Sequence, residues 1–550
     1  MANNHFWLLI AWIVVGTWLR FHNLGELPPW TDEFATMVFS LGNSFYKVPL
    51  DQFINLSTLM EPLQLNANGN INDVAHLLQT ESTHPPLYFM LTHLWLKLFP
   101  AADGLVSVWG ARSLSAGLGV LAIPAVFGFV RLINSNLLMA QIAAGMMAVS
   151  PFGIFLALQA RHYTLIILMI LATLSCFMIA YRSLNQARVI PLWLVILWIS
   201  INCLGVATHY FFVLTLAAMA IAFIPLLWRD GGQKRLLSPP WRQLYLVALG
   251  SLVGCLVWLP SLLAVRQSSP TDWIYASNAT ERWLEPLGRF LLWLMSTVIM
   301  LPSSLYDFPL WSVIVVGILT LLFWIWCSPP VVQGIKSHEQ DSNIIPLVHY
   351  FWAAIALFFG LTYLGGMDLT LAGRFQFVYF PVVIVLIAAG LSSNLSSKHK
   401  TAGQKLVAVF LAVGLISGIV ANMNRGYLQN HRPDLAIAKI VEGTKAPLAI
   451  ATTYRHHGQT GRIMGLAWGL RNFSQIQSPQ FFLASEIADD GQKSSPQFLS
   501  QQLTTVPRPL DLWLVNFKGD LELEQQNCLP DSQYRGILGQ YKYRLYRCRE

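Results

Sequence analysis

The chain has 550 residues, of which 55% are apolar and only 11% are charged, and its net charge is +8. Soluble domains carry about a quarter charged residues, so this composition excludes an ordinary water-soluble fold. The basic residues are dispersed among apolar stretches, which excludes nucleic acid as a partner. Several uncharged stretches reach the length of about 20 residues that crosses a bilayer as a helix. The sequence therefore predicts a polytopic membrane protein.

About eleven membrane-spanning helices are predicted in chain order. They lie at 6–19, 113–130, 137–155, 163–181, 190–209, 211–228, 244–265, 308–327, 347–363, 376–393 and 405–422. Lys and Arg are concentrated in the predicted loops on one side of the membrane, and the first loop, on the opposite side, is acidic. Because basic loops tend to stay in the cytoplasm, the amino terminus is expected on the cytoplasmic side. The predicted fold is an all-α polytopic domain, 1–422, in the plasma (inner) membrane. Its first loop, 20–112, is expected on the exoplasmic side and contains interfacial helices.

The tail at 423–550 is polar and differs in character from the spans. Two short runs, Pro447 to Thr452 and Leu510 to Val515, have the composition of β-strands. They predict a small α/β soluble domain on the exoplasmic or periplasmic side. Cys528 and Cys548 are the only cysteines of this tail, and an oxidising compartment would allow them to form a disulfide.

The first polar motif is Trp30-Thr31-Asp32-Glu33, a little beyond the first predicted span. Two adjacent carboxylates close to the lipid surface are costly, and such groups tend to be functional. An alternative is purely structural, because Thr31 or Asp32 followed by a helix from Phe34 is an ordinary helix start. Both interpretations remain open from this motif alone.

Four more polar motifs lie at predicted span ends or beside the membrane. Their candidate residues are His84 and Tyr88; Arg161, His162 and Tyr163; His209 and Tyr210; and Arg374. Each could be an interfacial anchor, but the predicted topology places all of them on the exoplasmic face. If these imidazoles and arginines converge on that face, they form one polar pocket, and its composition predicts that the pocket binds phosphate. No spacing requires a cofactor, and a divalent metal held by His84, His209 and a carboxylate is left open.

These motifs occur in a recognisable order along residues 6–422. They are Leu19-Arg20, Leu24-Gly25, Trp30-Thr31-Asp32-Glu33, His84-Pro85-Pro86-Leu87-Tyr88, Arg112-Ser113-Leu114-Ser115-Ala116, Ser150-Pro151-Phe152, Gln159-Ala160-Arg161-His162-Tyr163 and Gly373-Arg374-Phe375. The ordered set resembles the bacterial branch of the protein O-mannosyltransferase and aminoarabinose-transferase group. These enzymes are membrane glycosyltransferases of the C superfamily.

The resemblance implies a polyprenyl-phosphate-linked sugar donor and inversion at the anomeric carbon. It implies that Asp32, with Glu33 beside it, is the catalytic carboxylate and that Arg374 holds the carrier phosphate. Arg161 and His162 are second candidates for the phosphate. Substrate contacts are expected from His84, Tyr88, Tyr163, His209 and Tyr210. The sequence departs from its relatives in two places: Gln159 stands where they commonly have an acidic residue, and His84 stands where the aminoarabinose branch has Lys.

The functional hypothesis is an inverting glycosyltransferase whose acceptor hydroxyl belongs to a glycan, a lipid or a protein. One alternative is a polytopic transporter or lipid flippase, which would show internal repeats, broken spans and charges at mid-membrane. No clear repeat is present in the sequence. A second alternative is a membrane anchor for a binding domain at 423–550, although eleven spans exceed what anchoring requires.

Overall fold

The computed structural model describes residues 2–101, 103–229, 236–266, 271–275, 281–302, 308–338, 341, 343–395, 400–427, 429, 431–486, 495–519, 521 and 523–549. The first helices are α1 Ala2–Phe21, α2 Thr31–Ser40, α3 Leu56–Met60, α4 Ile71–Thr80, α5 Leu87–Leu96, α6 Val108–Ile133, α7 Leu137–Val149, α8 Pro151–Ala157, α9 Tyr163–Asn185, α10 Leu192–Thr208, α11 Phe212–Ala222 and α12 Ile224–Arg229. The remaining helices are α13 Pro239–Leu256, α14 Leu259–Arg266, α15 Asp272–Tyr275, α16 Leu284–Met295, α17 Leu310–Lys336, α18 Ile345–Tyr363, α19 Phe380–Leu395, α20 Lys400–Asn422, α21 Pro433–Gly443, α22 His457–Leu470 and α23 Ser495–Leu503. The strands are β1 Phe53–Asn55, β2 Leu448–Tyr454, β3 Gln480–Ser485, β4 Leu510–Val515, β5 Cys528–Leu538 and β6 Tyr541–Cys548.

The chain forms two compact units. The first contains Met1–Asn23, Thr83–Tyr88 and Arg112–Leu428, and the second contains Leu24–Ser82, Phe89–Ala111 and Gln429–Glu550. The sequence grouped the whole first loop with the transmembrane domain, whereas most of that loop belongs here to the same unit as the tail. The reason is local packing, since α2 lies against α22 and β1 pairs with β3.

The first unit is a helical membrane domain. Within the described ranges, six helices are long and apolar enough to cross a bilayer, and α7 with α8 would make a seventh as one bent span. The six are α6, α9, α11 continued by α12, α17, α18 and α20. The shorter apolar helices α10 and α19 accompany them in this unit, whereas most of the short apolar helix α5 belongs to the second unit. The predicted multi-pass helical fold is confirmed, and the count of about eleven spans stays a prediction.

A break between α7 and α8, with a bend of 52°, leaves backbone carbonyls without helical partners. Pro151 has no N–H to donate, and the Phe152 N–H donates outside the helix. The carbonyls four residues earlier, those of Met147 and Ala148, therefore lose their usual donors. The buried guanidinium of Arg20 in α1 donates to both, at 2.8 Å and 2.9 Å. Arg20 thus stabilises the break, where lipid would supply no hydrogen bonds.

We expect Arg20→Met to lower the free energy of unfolding by roughly 2–5 kcal/mol, because two buried carbonyls lose their donors. The measurement is unfolding of the purified full-length protein in detergent. Arg188→Met is the matched control, since Arg188 is exposed in the same unit. Equal stability of the two variants would show that Arg20 does not hold the break.

The second unit is built on a six-stranded sheet in the order β1-β3-β2-β4-β6-β5. Strands β3, β2 and β4 pair parallel with one another, whereas β1 pairs antiparallel with β3, β6 with β4, and β5 with β6. The two strand runs predicted from the tail correspond to β2 and β4. Both are almost entirely buried, as expected for parallel strands covered on both faces.

The antiparallel pairing of β5 with β6 places Cys528 directly opposite Cys548. The two residues form a disulfide, the pairing expected from the sequence. The other four cysteines, Cys176, Cys203, Cys255 and Cys327, are free thiols of the first unit. The four free thiols therefore lie in the helical unit, and the disulfide lies in the sheet unit.

Candidate active site

The turn between α8 and α9 carries Arg161, and its backbone is clamped by Ser115 of α6. The Arg161 N–H donates to Ser115 Oγ at 3.2 Å, and this hydroxyl lies 2.8 Å from the Arg161 carbonyl. The Tyr88 hydroxyl bonds the same Ser115 oxygen at 2.6 Å. These bonds connect three segments that are distant in sequence, so Arg161 has a fixed backbone position.

The Arg161 side chain is buried and lies against two predicted site residues. Its Nη2 donates to His84 Nε2 at 2.7 Å. Because a guanidinium only donates, His84 accepts through Nε2 and a neutral imidazole carries its proton on Nδ1. The guanidinium carbon also lies 5.8 Å from the centre of the Tyr163 ring, within the range of a cation–π contact.

His162 lies at the centre of a ring of aromatic side chains. Its imidazole centroid is 4.7 Å from that of His209, 4.7 Å from Tyr163, 5.8 Å from His84 and 6.0 Å from Tyr88. Burial, followed by the neighbouring charge of His209, lowers the pKa of His162 well below its usual value. Both ring nitrogens are buried without a hydrogen-bond partner among the described residues. A buried polar atom without a hydrogen-bond partner destabilises the folded protein. A ligand that formed a hydrogen bond with one of these nitrogens would remove that cost and would bind more tightly.

His209 connects this cluster to the segment that carries Arg374. Its ring lies 4.7 Å from His162 and 4.8 Å from Phe377, which belongs to the 3-10 helix Gly373–Val378. The next residue, Tyr210, lies against Trp258 at 6.1 Å. The predicted residues brought together around Arg161 and His162 are His84, Tyr88, Tyr163 and His209.

Arg374 lies half-buried in this 3-10 helix, and aromatic rings flank its guanidinium. The guanidinium carbon is 5.4 Å from the Trp273 ring and 5.5 Å from the Phe375 ring. Its charge also lowers the pKa of His162, after the larger effects of burial and of nearer charges. Both distances are within the range of cation–π contacts, which stabilise the charge of Arg374 at this position.

An ion pair anchors the loop just before Arg374. The buried carboxylate of Asp368 accepts from Arg289 Nη2 at 2.6 Å, and the Arg289 Nε donates to the Thr370 hydroxyl at 3.1 Å. Trp293 Nε1 donates to the Thr370 carbonyl at 2.7 Å. Sequence reasoning missed this anchor, because it joins residues about 80 positions apart that match no motif.

The carboxylates Asp32 and Glu33 belong to the second unit, in the first turn of α2. The predicted cap at Thr31 or Asp32 is wrong, since the N-cap residue is Trp30. Its N–H donates to Glu33 Oε2 at 3.2 Å, and Glu33 is 2% exposed. The Glu33 side chain therefore accepts a backbone hydrogen bond at the amino-terminal end of α2. Asp32 is only half-buried, so the two adjacent carboxylates have different surroundings.

Helix α22 packs closely against α2 through two glycines. A Cβ at Gly461 would lie 3.1 Å from the Thr31 carbonyl oxygen, and a Cβ at Gly465 would lie 3.2 Å from that of Pro29. Larger residues at these positions would push the helices apart. The tail thus supplies the surface on which the carboxylate-bearing helix rests.

The tail also places histidines near Asp32. The His431 ring lies 5.9 Å from that of Trp30, and its Nε2 is 3.1 Å from the Tyr541 hydroxyl. The His457 ring stacks on Phe45 at 5.3 Å. Burial lowers the pKa of each histidine to about 4, and the charge of Asp32 acts in the opposite direction on both. Sequence reasoning missed these histidines, since the only signal was their occurrence in a polar tail.

These depressed pKa values predict a loss of stability in acid. Above pH 6.5 the two histidines are neutral in the folded and the unfolded chain. Between pH 6.5 and about 4 the unfolded chain binds protons that the folded chain does not, so each histidine destabilises the fold by up to about 1.4 kcal/mol per pH unit. Full-length His457→Phe, which keeps the ring, should show a flatter fall in Tm between pH 7 and pH 5. The same fall in parent and variant would contradict the assignment.

The metal suggested by the sequence has no assembled site in the part of the chain that is described. No group of three or more His, Cys, Asp or Glu side chains there is arranged to hold an ion. In the first unit, His84 Nε2 is instead bonded to Arg161. A divalent metal therefore stays an untested prediction.

No protein-family model matches the sequence, and no curated protein matches it significantly. Solved structures resemble it over most of its length. ArnT from Cupriavidus metallidurans in the apo state has a TM-score of 0.50 at 13% identity, covering 99% of this chain and 98% of that chain. ArnT from the same organism bound to undecaprenyl phosphate has a TM-score of 0.49 at 13% identity, with 99% and 98% covered. AglB, an archaeal oligosaccharyltransferase from Archaeoglobus fulgidus in complex with an inhibitory peptide and a dolichol-phosphate, has a TM-score of 0.48 at 12% identity, with 98% and 74% covered.

At this level of identity, the likeness to apo ArnT concerns the fold. It extends from the first helix through the terminal sheet unit, because nearly all of both chains are covered. The resemblance expected from the ordered motifs is therefore confirmed for the architecture: the chain has a fold similar to that of ArnT.

Proposed function

We propose that the protein is an inverting glycosyltransferase that moves a sugar from a polyprenyl-phosphate carrier to an acceptor hydroxyl on the exoplasmic side of the membrane. The observation that carries the proposal is the cluster in which the buried Arg161 guanidinium donates to the neutral imidazole of His84, beside His162, at the ends of apolar helices. The isoprenoid tail of the carrier would lie in lipid beside these helices, and the carrier phosphate would contact the cluster.

The donor side of the reaction needs stabilisation of a leaving phosphate. In our mechanism, Arg374 and Arg161 donate hydrogen bonds to the phosphate oxygens as negative charge develops there. His162, with two unpartnered buried nitrogens, gives a further contact to the donor. Fixed donors in a water-poor site cost little reorganisation during the reaction, which favours departure of the polyprenyl phosphate as an anion.

The acceptor side needs a base, and Asp32 is assigned this role. The acceptor oxygen bonds to the anomeric carbon while the bond from that carbon to the phosphate oxygen breaks. The acceptor proton passes to Asp32, and one displacement inverts the anomeric centre. Glu33 is less suited, because it is buried and closes the start of α2. The half-buried position of Asp32 leaves room for an acceptor.

A transporter would use a broken span to expose backbone groups to its cargo. The break between α7 and α8 is the one bent pair found among the described helices. Its freed carbonyls, those of Met147 and Ala148, already accept hydrogen bonds from Arg20. These two carbonyls are therefore already occupied, which favours the transferase over a transporter.

Mass spectrometry of lipid-linked sugars and surface glycans, in cells with and without this chain, tests the proposed function. We expect cells that lack the chain to lose one sugar modification and to accumulate its polyprenyl-phosphate-linked donor. Unchanged glycans together with unchanged lipid-linked sugars would contradict a transferase. The same measurement identifies the sugar and the class of acceptor.

A further inference from the structure

A cleft of about 550 Å³ lies in the second unit at the carboxyl ends of its parallel strands. It is lined by Thr453 near the end of β2, by Glu486 just after β3 and by the loop that follows β4. In open α/β sheets, small ligands bind in the crevice outside the carboxyl ends of the strands. The volume falls within the range of about 300–1,000 Å³ that is usual for small-molecule sites.

The strand order places this cleft at a switch point of the sheet. From β2 the chain passes through α22 to β3 on one side, and from β3 it passes through α23 to β4 on the other side of β2. The connections after β2 and β4 consequently leave the sheet in different directions and open a crevice between them. The backbone N–H of Lys518 donates to the Thr453 hydroxyl at 2.9 Å, which fixes the loop after β4.

The walls of the cleft carry an excess of positive charge. Arg462, Lys518, Lys542 and Arg544 line it, and Glu486 is the only carboxylate among the described residues of its lining. Glu486 is itself paired with Lys518 at 3.0 Å. Because these cationic side chains outnumber the single described carboxylate, the cleft favours an anion that carries more than one negative charge. A phosphate monoester has this property and also presents several acceptor oxygens to arginine.

Arg462 supplies a second observation that points to an anionic ligand. Its Nε is buried and has no hydrogen-bond partner among the described residues. A buried donor of this kind is costly unless an acceptor meets it. Because Arg462 lines the cleft, a small shift of its side chain would expose this Nε to a bound phosphate oxygen, which would satisfy the donor.

The rest of the lining suits a carbohydrate. Phe517 offers a half-buried aromatic ring, against which the C–H face of a sugar packs. Gln459 and Asn516 add side-chain amides, which can bond hydroxyl groups. We propose that this cleft binds a phosphorylated sugar, through its cations for the phosphate and through Phe517 for the ring. The proposal goes beyond glycosyl transfer and does not depend on it.

The test is titration of the purified full-length protein with glucose 1-phosphate, followed by calorimetry. We expect saturable binding that weakens with salt and falls at least about tenfold in the double variant Lys542→Gln and Arg544→Gln, since two charged contacts are lost. Arg535→Gln is the matched control, because Arg535 is exposed on β5 and does not line the cleft. Lys518→Gln provides a second cleft variant should the double variant fold poorly.

A membrane source of the same chemistry is tested with phosphatidylinositol 4-phosphate in nanodiscs, because its inositol ring carries a phosphate monoester. Loss of binding in the cleft variants, with binding retained by Arg535→Gln, supports the proposal for whichever probe binds. Equal binding of parent and cleft variants, or no binding of either probe by the parent, overturns it. Arg374→Ala should retain the glucose 1-phosphate site, so failure of the transferase mechanism leaves this result unaffected.

Discussion

Asp32→Asn is expected to insert, fold and bind the lipid-linked donor, yet to transfer sugar about 10² to 10⁴ times more slowly than the parent. Asn keeps the shape and the hydrogen-bonding capacity of Asp but cannot take the acceptor proton. The measurement is transfer of labelled sugar by the purified protein, together with donor binding and Tm. A decrease in kcat at unchanged donor affinity is the signature of a lost base.

A structural role for Asp32 predicts a much smaller effect. A carboxylate in the first turn of a helix contributes about 0.3–1 kcal/mol through the helix dipole. The carboxylate that closes the start of α2 is Glu33, which accepts from the Trp30 N–H. Glu33→Gln retains an acceptor for this bond, and we expect it to be less damaging than Asp32→Asn or equally damaging.

Glu26→Gln is the matched control for both changes, since Glu26 is an exposed carboxylate a few residues before α2 in the same unit. It should retain the activity of the parent. If Asp32→Asn also turns over like the parent, Asp32 is not the base, and Glu33 becomes the first candidate. If Glu33→Gln alone abolishes transfer in a folded protein, the roles of the two carboxylates are reversed.

Arg374→Ala is expected to weaken binding of the lipid-linked donor roughly ten- to a hundredfold, because a hydrogen bond to a charged group contributes about 1.5–3 kcal/mol. Arg374→Lys keeps the charge but loses the planar fork that lies beside Trp273 and Phe375. It should also weaken binding, by less than the alanine change. The measurement is the affinity of the purified protein for a polyprenyl-phosphate-linked sugar.

Arg425→Ala serves as the control for charge alone, as Arg425 is exposed elsewhere in the first unit. Its donor affinity should equal that of the parent. Intact affinity in both Arg374 variants would leave Arg374 with only the role of an interfacial anchor. The carrier phosphate would then be assigned to Arg161, whose guanidinium already contacts His84.

Local patterns in the sequence were sufficient for much of the architecture. Uncharged apolar runs indicated a helical membrane domain because lipid admits no unpaired backbone, and β2 and β4 followed from short apolar runs in a polar tail. The order of the polar motifs led to the correct fold. It also indicated His84, Arg161 and His162, which the first unit does bring together.

Contacts between distant parts of the chain decided the rest. The sequence could not tell that Trp30 is the N-cap residue of α2 or that Glu33 bonds its N–H, because both depend on the local backbone and side-chain conformation. Nor could it indicate that His431 lies against Trp30, about 400 residues away, or that Arg20 holds the carbonyls of a helix more than 120 positions later. Composition and periodicity describe how a segment meets lipid or water. Which segments then touch is determined by packing of the whole chain, and only the tertiary structure contains that information.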